Sequence, residues 1–383
     1  MNRREFVAAT GLTAAGVSRE TVARPTPAGS SKLFRRVSFS ADGIDLDPLE
    51  YATVLLDTAR EGKLEADRYS RGGMVEGIER QFAELLGKPR ALFLPTGTLA
   101  NHLAVRRLAT GGRRVLVQAE SHLYNDSGDG AAVLSGLNLI PLAPGRSTFS
   151  LGEVEAWVER SAAGWVDGKV GVLCVESPVR RMDHAMFDFD ELERICGYAR
   201  GRGIRLHMDG ARLFNLPLHS SRTVKEHAAL FDTVYVSLKK HFNGSAGAIL
   251  AGDEDVIEGL FHVRRMFGGS LPHAWPLIGV VPRYVDTYME EYARAWRVAE
   301  ELLAGIAPDH RFVVQRVPNG TSRFLLTVAE AAPQRFSDRL SKRGIVLPSP
   351  RPGTSTFPMQ VNPTLARTTS TALLQAFTEA MQG

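Results

Sequence analysis

"IRLHMDGARLFNLP", Ile204 to Pro217, is the stretch whose alternation decides the fold. Ile204, Leu206 and Met208 alternate with Arg205 and His207 as far as Gly210, so a strand runs into a loop at that point. Asp209 and Arg212 stand at the junction. Open α/β sheets bind ligands just beyond the carboxyl ends of their strands, which makes this pair a candidate site.

The same rhythm extends in both directions. Upstream, "MVEGIERQFAELLGK" places Val75, Ile78, Phe82, Leu85 and Leu86 on one helical face, with Gly87 as its stop. Then come "ALFLP", "RRVLVQ", "LNLIPL" and "VGVLCVES" as strands, separated by the helix-like "LANHLAVRRLA", "GAAVLSG" and "EVEAWVERSA". The helix "FDELERICGYARGRG" leads into the quoted strand. Alternating strands and helices imply a mostly parallel sheet joined by right-handed crossovers. Downstream, "DTVYVSLKK" and "GAILAG" follow one another across a short loop, and a long helix is expected from Trp275 to Ile306. "RFVVQRV" and "RFLLTV" read as antiparallel strands, with "RFSDRLSKRG" and "TALLQAFTEAMQ" as covering helices. The expected organisation is therefore a leader and linker over 1–33, a large α/β domain over 34–285 after an irregular start, and a smaller α+β domain over 286–383.

Composition bounds the function. The 383 residues are 44% hydrophobic and 23% charged, enough for a large core, and the formal charge of +4 is spread along the chain. Nucleic-acid binding has no support. Cys174 and Cys196 read as buried, inert thiols, and no apolar run is long enough to span a bilayer in the mature chain. At the start, Arg3 and Arg4 precede Phe6 and Val7 and a weakly apolar Ala/Gly/Thr stretch with no acidic residue before Glu20. That pattern looks like a twin-arginine export signal, followed by the linker "ARPTPAGSS". The periplasm is the expected location; the alternative is a cytoplasmic protein with a basic, disordered start.

Four groups stand at strand ends: "PTGT" (Pro95–Thr98), "ESH" (Glu120–His122), "DGAR" (Asp209–Arg212) and "SLKK" (Ser237–Lys240). Each alone has a plainer reading as a turn, a cap, a surface histidine or a solvated edge. In this order they meet the needs of one cofactor, pyridoxal 5′-phosphate: a phosphate cradle, a flat partner for its ring, a carboxylate for its pyridine nitrogen and a lysine for the Schiff base. No metal is assigned.

On "FLPTGTLAN", "SHLYNDSGDGAAVLSG", "LHMDGARLFN" and "VSLKKHFNGSAGAILAG" the chain resembles the threonine aldolase and β-eliminating lyase family, fold type I pyridoxal-phosphate enzymes, from about Met74 to Gly269. The resemblance implies the phosphate turn at Thr96, Gly97 and Thr98, and the ring-stacking residue and candidate base at His122. It implies the pyridine partner at Asp209 and a substrate-carboxylate contact at Arg212. Aligning the loop glycine with Gly247 puts the Schiff base on Lys240, with Lys239 as the alternative. The second carboxylate arginine falls at Arg351. The pattern departs from the family where a glutamate is usual, at Ser127, in "ESPVRRMD", in "SLPHAWP", which has no arginine, and in the bulky His241 and Phe242. The implied reaction is cleavage of a β-hydroxy-α-amino acid to glycine and an aldehyde by a homodimer or homotetramer. The alternatives are β-elimination or racemisation of an amino acid, or cofactor binding with little turnover.

Overall fold

Parallel pairing brings the quoted strand, Arg205–Asp209, to the middle of a seven-stranded sheet. In the computed structural model, which describes residues 33–166 and 168–382, the order across this sheet is Arg90–Leu94, Ala248–Gly252, Thr233–Ser237, Arg205–Asp209, Val170–Glu176, Arg114–Gln118, Asn138–Leu142. Thr233–Ser237 and the four strands that follow it in that order pair in parallel; Ala248–Gly252 runs antiparallel to both its neighbours. Arg90–Leu94, the earliest strand of this sheet along the chain, therefore joins it through an antiparallel partner, which the short loop after Lys240 permits.

Helices cover both faces of the sheet, and this overturns one detail of the sequence pattern. His207, read as the polar side of an alternation, is fully buried, because a parallel strand under helices on both sides has no solvent face. Helix Gly73–Leu86 packs its expected stripe inward and ends at Gly87, whose φ of 62° lies in the left-handed region. Cys174 and Cys196 are buried free thiols, and burial pushes the Cys196 thiol up to about 12. No helix of the described residues is long and apolar enough to cross a membrane. The export signal and linker expected before residue 33 lie outside the described residues.

Two expectations are corrected. The irregular start contains helix Pro48–Arg60, opened by a capping box in which Asp47 accepts from the Glu50 N–H and Glu50 from the Asp47 N–H, with Pro48 at the first position. The long helix from Trp275 is three helices, Trp275–Ile278, Pro282–Val285 and Tyr288–Ile306. Pro276 and Pro282 fit the first turns of the first two, where no ladder bond is lost, but would break a continuous helix.

The C-terminal strands gain an unexpected member. Thr356–Gln360 pairs antiparallel with Arg323–Val328, which also pairs with Phe312–Arg316, and the register sets Arg323 opposite Gln360. Pro358 disguised this edge strand. The N-terminal segment is tied to the same region: Val37–Ser38 pairs in parallel with Ile345–Val346, the Gln360 N–H donates to the Phe39 carbonyl at 2.7 Å, and Asn362 Nδ2 donates to the carbonyls of Ser38 and Ala41 at 2.7 and 2.9 Å. These bonds deliver Asp42 to the carboxyl end of the large sheet.

Candidate active site

Three parallel strands end side by side, and register pairs Glu176 with Asp209 and Asp209 with Tyr235. Two carboxylates thus face each other in a buried row. Asp209 accepts from Asn101 Nδ2 at 2.5 Å and from the Ala211 N–H at 3.1 Å. Asn101 Oδ1 lies 2.9 Å from His207 Nε2, and His207 Nδ1 lies 2.8 Å from Thr233 Oγ1. Burial pushes His207 down to about 4, so a neutral imidazole holds Asn101, which in turn aims Asp209. Asn101 was not singled out from the sequence, although a polar residue on the buried stripe of helix Gly97–Leu108 was the available signal.

Glu176 settles differently. Burial, and then the facing Asp209, push its carboxyl up to about 7, while it accepts from the backbone N–H groups of His122 at 2.6 Å and Arg180 at 2.9 Å. Those bonds position His122, whose half-buried ring has Nε2 3.5 Å from Thr98 Oγ1 and Nδ1 3.5 Å from Asp126 Oδ2. Hydrogen bonds from Arg181 and Arg180 hold Asp126 down to about 2. Asp126 thus stands beside His122, one residue before Ser127, where the pattern lacks a carboxylate.

Thr96 caps helix Gly97–Leu108, its Oγ1 accepting from the Leu99 N–H at 3.2 Å. The N–H groups of Gly97 and Thr98 precede the helix ladder and point out of its positive end, the arrangement that cradles a phosphate. Gly97 is required there, because a Cβ would lie 1.8 Å from the Tyr235 hydroxyl oxygen.

Lys240 follows the strand Thr233–Ser237 and lines a cleft of about 700 Å³ with Lys239, Ser40, Asp42 and Tyr51. Lys239 is exposed. Burial, reinforced by Arg212 and opposed by Asp42, Asp209 and Glu176, lowers Lys240 to about 8, so a useful fraction is the nucleophilic amine near neutral pH. Of the two lysines, Lys240 is the less exposed and the one set among Arg212, Asp42 and Asp209.

The substrate arginines are arranged less simply. Arg212 is buried, and its fork is taken by Asp42, with Nε 2.6 Å from Oδ1 and Nη2 2.9 Å from Oδ2. Burial would raise the Asp42 carboxyl, yet Arg212 holds it well below the usual carboxylate range. Gln360 Nε2 donates to Asp42 Oδ1 at 2.5 Å. Arg351 is not brought to Lys240; it pairs with Asp183 and lines a different cleft with Arg146 and Arg181.

A lysine of lowered pKa, a buried carboxylate held by a neutral relay, a histidine beside Thr98 and a glycine-requiring helix start fit pyridoxal phosphate as donor set and cradle. Fold and site together define a fold type I pyridoxal-phosphate-dependent enzyme. The family model described as β-eliminating lyase matches residues 57–330, and the chain belongs to that family. It is 26% identical over 363 residues to the probable low-specificity L-threonine aldolase of Schizosaccharomyces pombe, covering 90% of this chain and 88% of that one. An alanine racemase of Cochliobolus carbonum is 29% identical over 237 residues, covering 62% of this chain and 59% of the relative. Among solved structures, one assigned as an L-allo-threonine aldolase of Listeria monocytogenes superposes with a TM-score of 0.76 at 25% identity, covering 91% of this chain and 96% of its own.

Proposed function

We propose that this protein is a threonine-aldolase-like lyase that splits a β-hydroxy-α-amino acid into glycine and an aldehyde. The observation that carries this reading is the chain of contacts that runs from Lys240, within electrostatic reach of Asp209, through Asn101 on the helix opened by the Thr96–Thr98 turn, to His122 beside Thr98, in a chain similar to threonine aldolases over nearly its whole length. When bound, pyridoxal phosphate supplies the electron sink for the negative charge left at Cα. Gly97 and Thr98 would hold its phosphate, Asp209 would serve its pyridine nitrogen, His122 would stack on its ring, and Lys240 would provide the amine for attachment. Aldol cleavage further needs removal of the β-hydroxyl proton, and the candidate base is His122, with Asp126 Oδ2 3.5 Å from its Nδ1. Incubation of the cofactor-loaded protein with L-threonine, L-allo-threonine and L-serine, with glycine and aldehyde assayed together, tests the proposal. Equimolar release supports it, and turnover without glycine contradicts it.

A second reading, cleavage of the Cα–H bond in racemisation or β-elimination, draws on the Arg212–Asp42 pair. The bond that breaks is set by how the substrate carboxylate is held, and the expected holder is already engaged. Loss of optical rotation from L-alanine without aldehyde would favour it. Export by the twin-arginine route, proposed on Arg3 and Arg4, is tested by fusing residues 1–33 to a reporter that is active only after folded export. Assembly as a homodimer or homotetramer is proposed from the resemblance alone, and sedimentation of the loaded protein measures it.

A further inference from the structure

His241, one of the bulky residues by which the loop after Lys240 departs from the family pattern, is fully buried. Neither of its ring nitrogens has a hydrogen-bond partner among the described residues. The ring stacks on Tyr288, with centroids 4.4 Å apart and planes within 15°, and Tyr288 stacks in turn on Tyr292. Stacking satisfies a face of the ring and does nothing for the nitrogens at its edge. Burial presses His241 down to about 3, so the imidazole is neutral, with one nitrogen to donate and one to accept. Buried polar atoms left without partners on both sides of one ring call for an occupant.

An occupant has room. His241 lines a cavity of about 260 Å³ with Asn243, Tyr284, Thr287 and Arg367, enough for several waters or one small molecule. The charges around it are unevenly satisfied. Arg283 is held by Glu61 and by Thr58 Oγ1, and Arg294 by Glu291 at 2.8 Å. Half-buried Arg367 makes no ion pair among the described residues and donates only to the Arg36 carbonyl, from Nη1 at 2.9 Å. Glu50, whose charge reaches Arg367, is itself taken by the N–H groups of Phe34 and Asp47 at 2.6 and 3.1 Å. The cavity therefore presents one unmatched cation and one unmatched ring. Neither Asp209, His122 nor Arg212 lines it, so it is not the substrate's place. It adjoins that place through Asn243, which also lines the cleft of Lys240 and whose Oδ1 accepts from the Ile44 N–H at 2.8 Å. A Cβ at Gly43 would lie 2.3 Å from that oxygen and 2.5 Å from the Lys240 carbonyl, so the N-terminal segment sits hard against this loop.

We propose that this cavity is a second binding site, separate from the substrate's, for a small hydroxycarboxylate whose carboxylate pairs with Arg367 and whose hydroxyl bonds a ring nitrogen of His241. The carboxylate answers the unpaired guanidinium. The hydroxyl both donates and accepts, so it satisfies whichever ring nitrogen faces the cavity. The site does not depend on which reaction the protein catalyses.

L-Lactate is the probe, because it carries the carboxylate and the hydroxyl but no amine with which to join the cofactor; propionate lacks the hydroxyl. Both would be titrated by calorimetry into pyridoxal-phosphate-loaded wild type, Arg367→Gln, His241→Phe and Arg212→Gln. The expected result is lactate binding that weakens about tenfold or more in Arg367→Gln, the loss of a hydrogen bond to a charged group, and stays within about twofold in Arg212→Gln. Propionate should bind wild type roughly three- to tenfold more weakly than lactate, and that gap should close in His241→Phe, which keeps the stack and removes the nitrogens. A wild type with no lactate Kd below about 10 mM holds water there and overturns the proposal. Weakening in Arg212→Gln with Arg367→Gln unchanged places lactate at the substrate contact and also overturns it, as does equal affinity of wild type for lactate and propionate. If His241→Phe fails to fold, Arg367→Gln and the wild-type comparison of the two acids decide the matter. A failure of the aldolase reading leaves this test in force, since it reads heat of binding and not turnover.

Discussion

The cofactor side of Lys240 is built from neighbouring strand ends: Glu176, Asp209 and Tyr235 stand in register, and the Thr96–Thr98 turn opens the helix whose Asn101 reaches Asp209. The Arg212 side draws Asp42 from the N-terminal segment and Gln360 from a small antiparallel sheet, where it stands opposite Arg323. On the first side each group is held by its own strand and by one relay. On the second, charges from distant segments hold each other. The difference teaches that the two halves of the site can fail independently, and that a familiar cofactor half does not carry a familiar substrate half with it.

Lys240→Ala tests the cofactor side most severely. It should abolish covalent attachment and lower turnover by roughly 10³-fold or more, whereas Lys239→Ala stays within about twofold, as read from absorbance and glycine release. On the substrate side, Asp42→Ala leaves the Arg212 charge buried and unpaired and should cost about 3–5 kcal/mol in urea unfolding. A cost near zero would show that solvent reaches Arg212. Gly97→Ala drives a methyl group into the Tyr235 hydroxyl and should weaken cofactor affinity by roughly 100-fold, with little change in fold by circular dichroism. Asn101→Ala strips a partner from both His207 and Asp209 and should cost about 1–3 kcal/mol of stability.

The smallest expected effect is a pH dependence. The folded value for Lys240, about 8, lies below its ordinary 10.5, so between these limits the unfolded chain binds more protons and cofactor-free wild type gains stability as pH rises. Below about 8 both states are charged and the burial penalty is fully present. Lys240→Met, without cofactor, should therefore be more stable than wild type by on the order of 1–2 kcal/mol at pH 7, a margin that shrinks toward pH 10.5. Thermal melts across that range measure it, and a constant margin would mean that Lys240 is not desolvated.

Much of the large domain was legible because its strands are continuous apolar runs and its helices carry clear stripes and stops, as at Gly87. Asp209, His122, Lys240 and the Thr96–Thr98 turn were legible for a related reason: each follows a recognisable strand. Helix Pro48–Arg60 was legible in principle through Asp47, Pro48 and Glu50, but went unread among polar neighbours. The breaks at Pro276 and Pro282 were likewise written in the chain and overruled by the apolar pattern around them. Asp42 carried no local signal, since a charged residue in a loop usually faces water.

By itself the sequence determined the sheet-forming segments, the family and the class of cofactor, because these depend on periodicity and on residue types at strand ends. Only the tertiary structure decided that Asp42 occupies the fork of Arg212 and that His207 and Asn101 aim Asp209. Pairings between buried charges depend on which loops the packing delivers to one point, and no spacing along the chain encodes that.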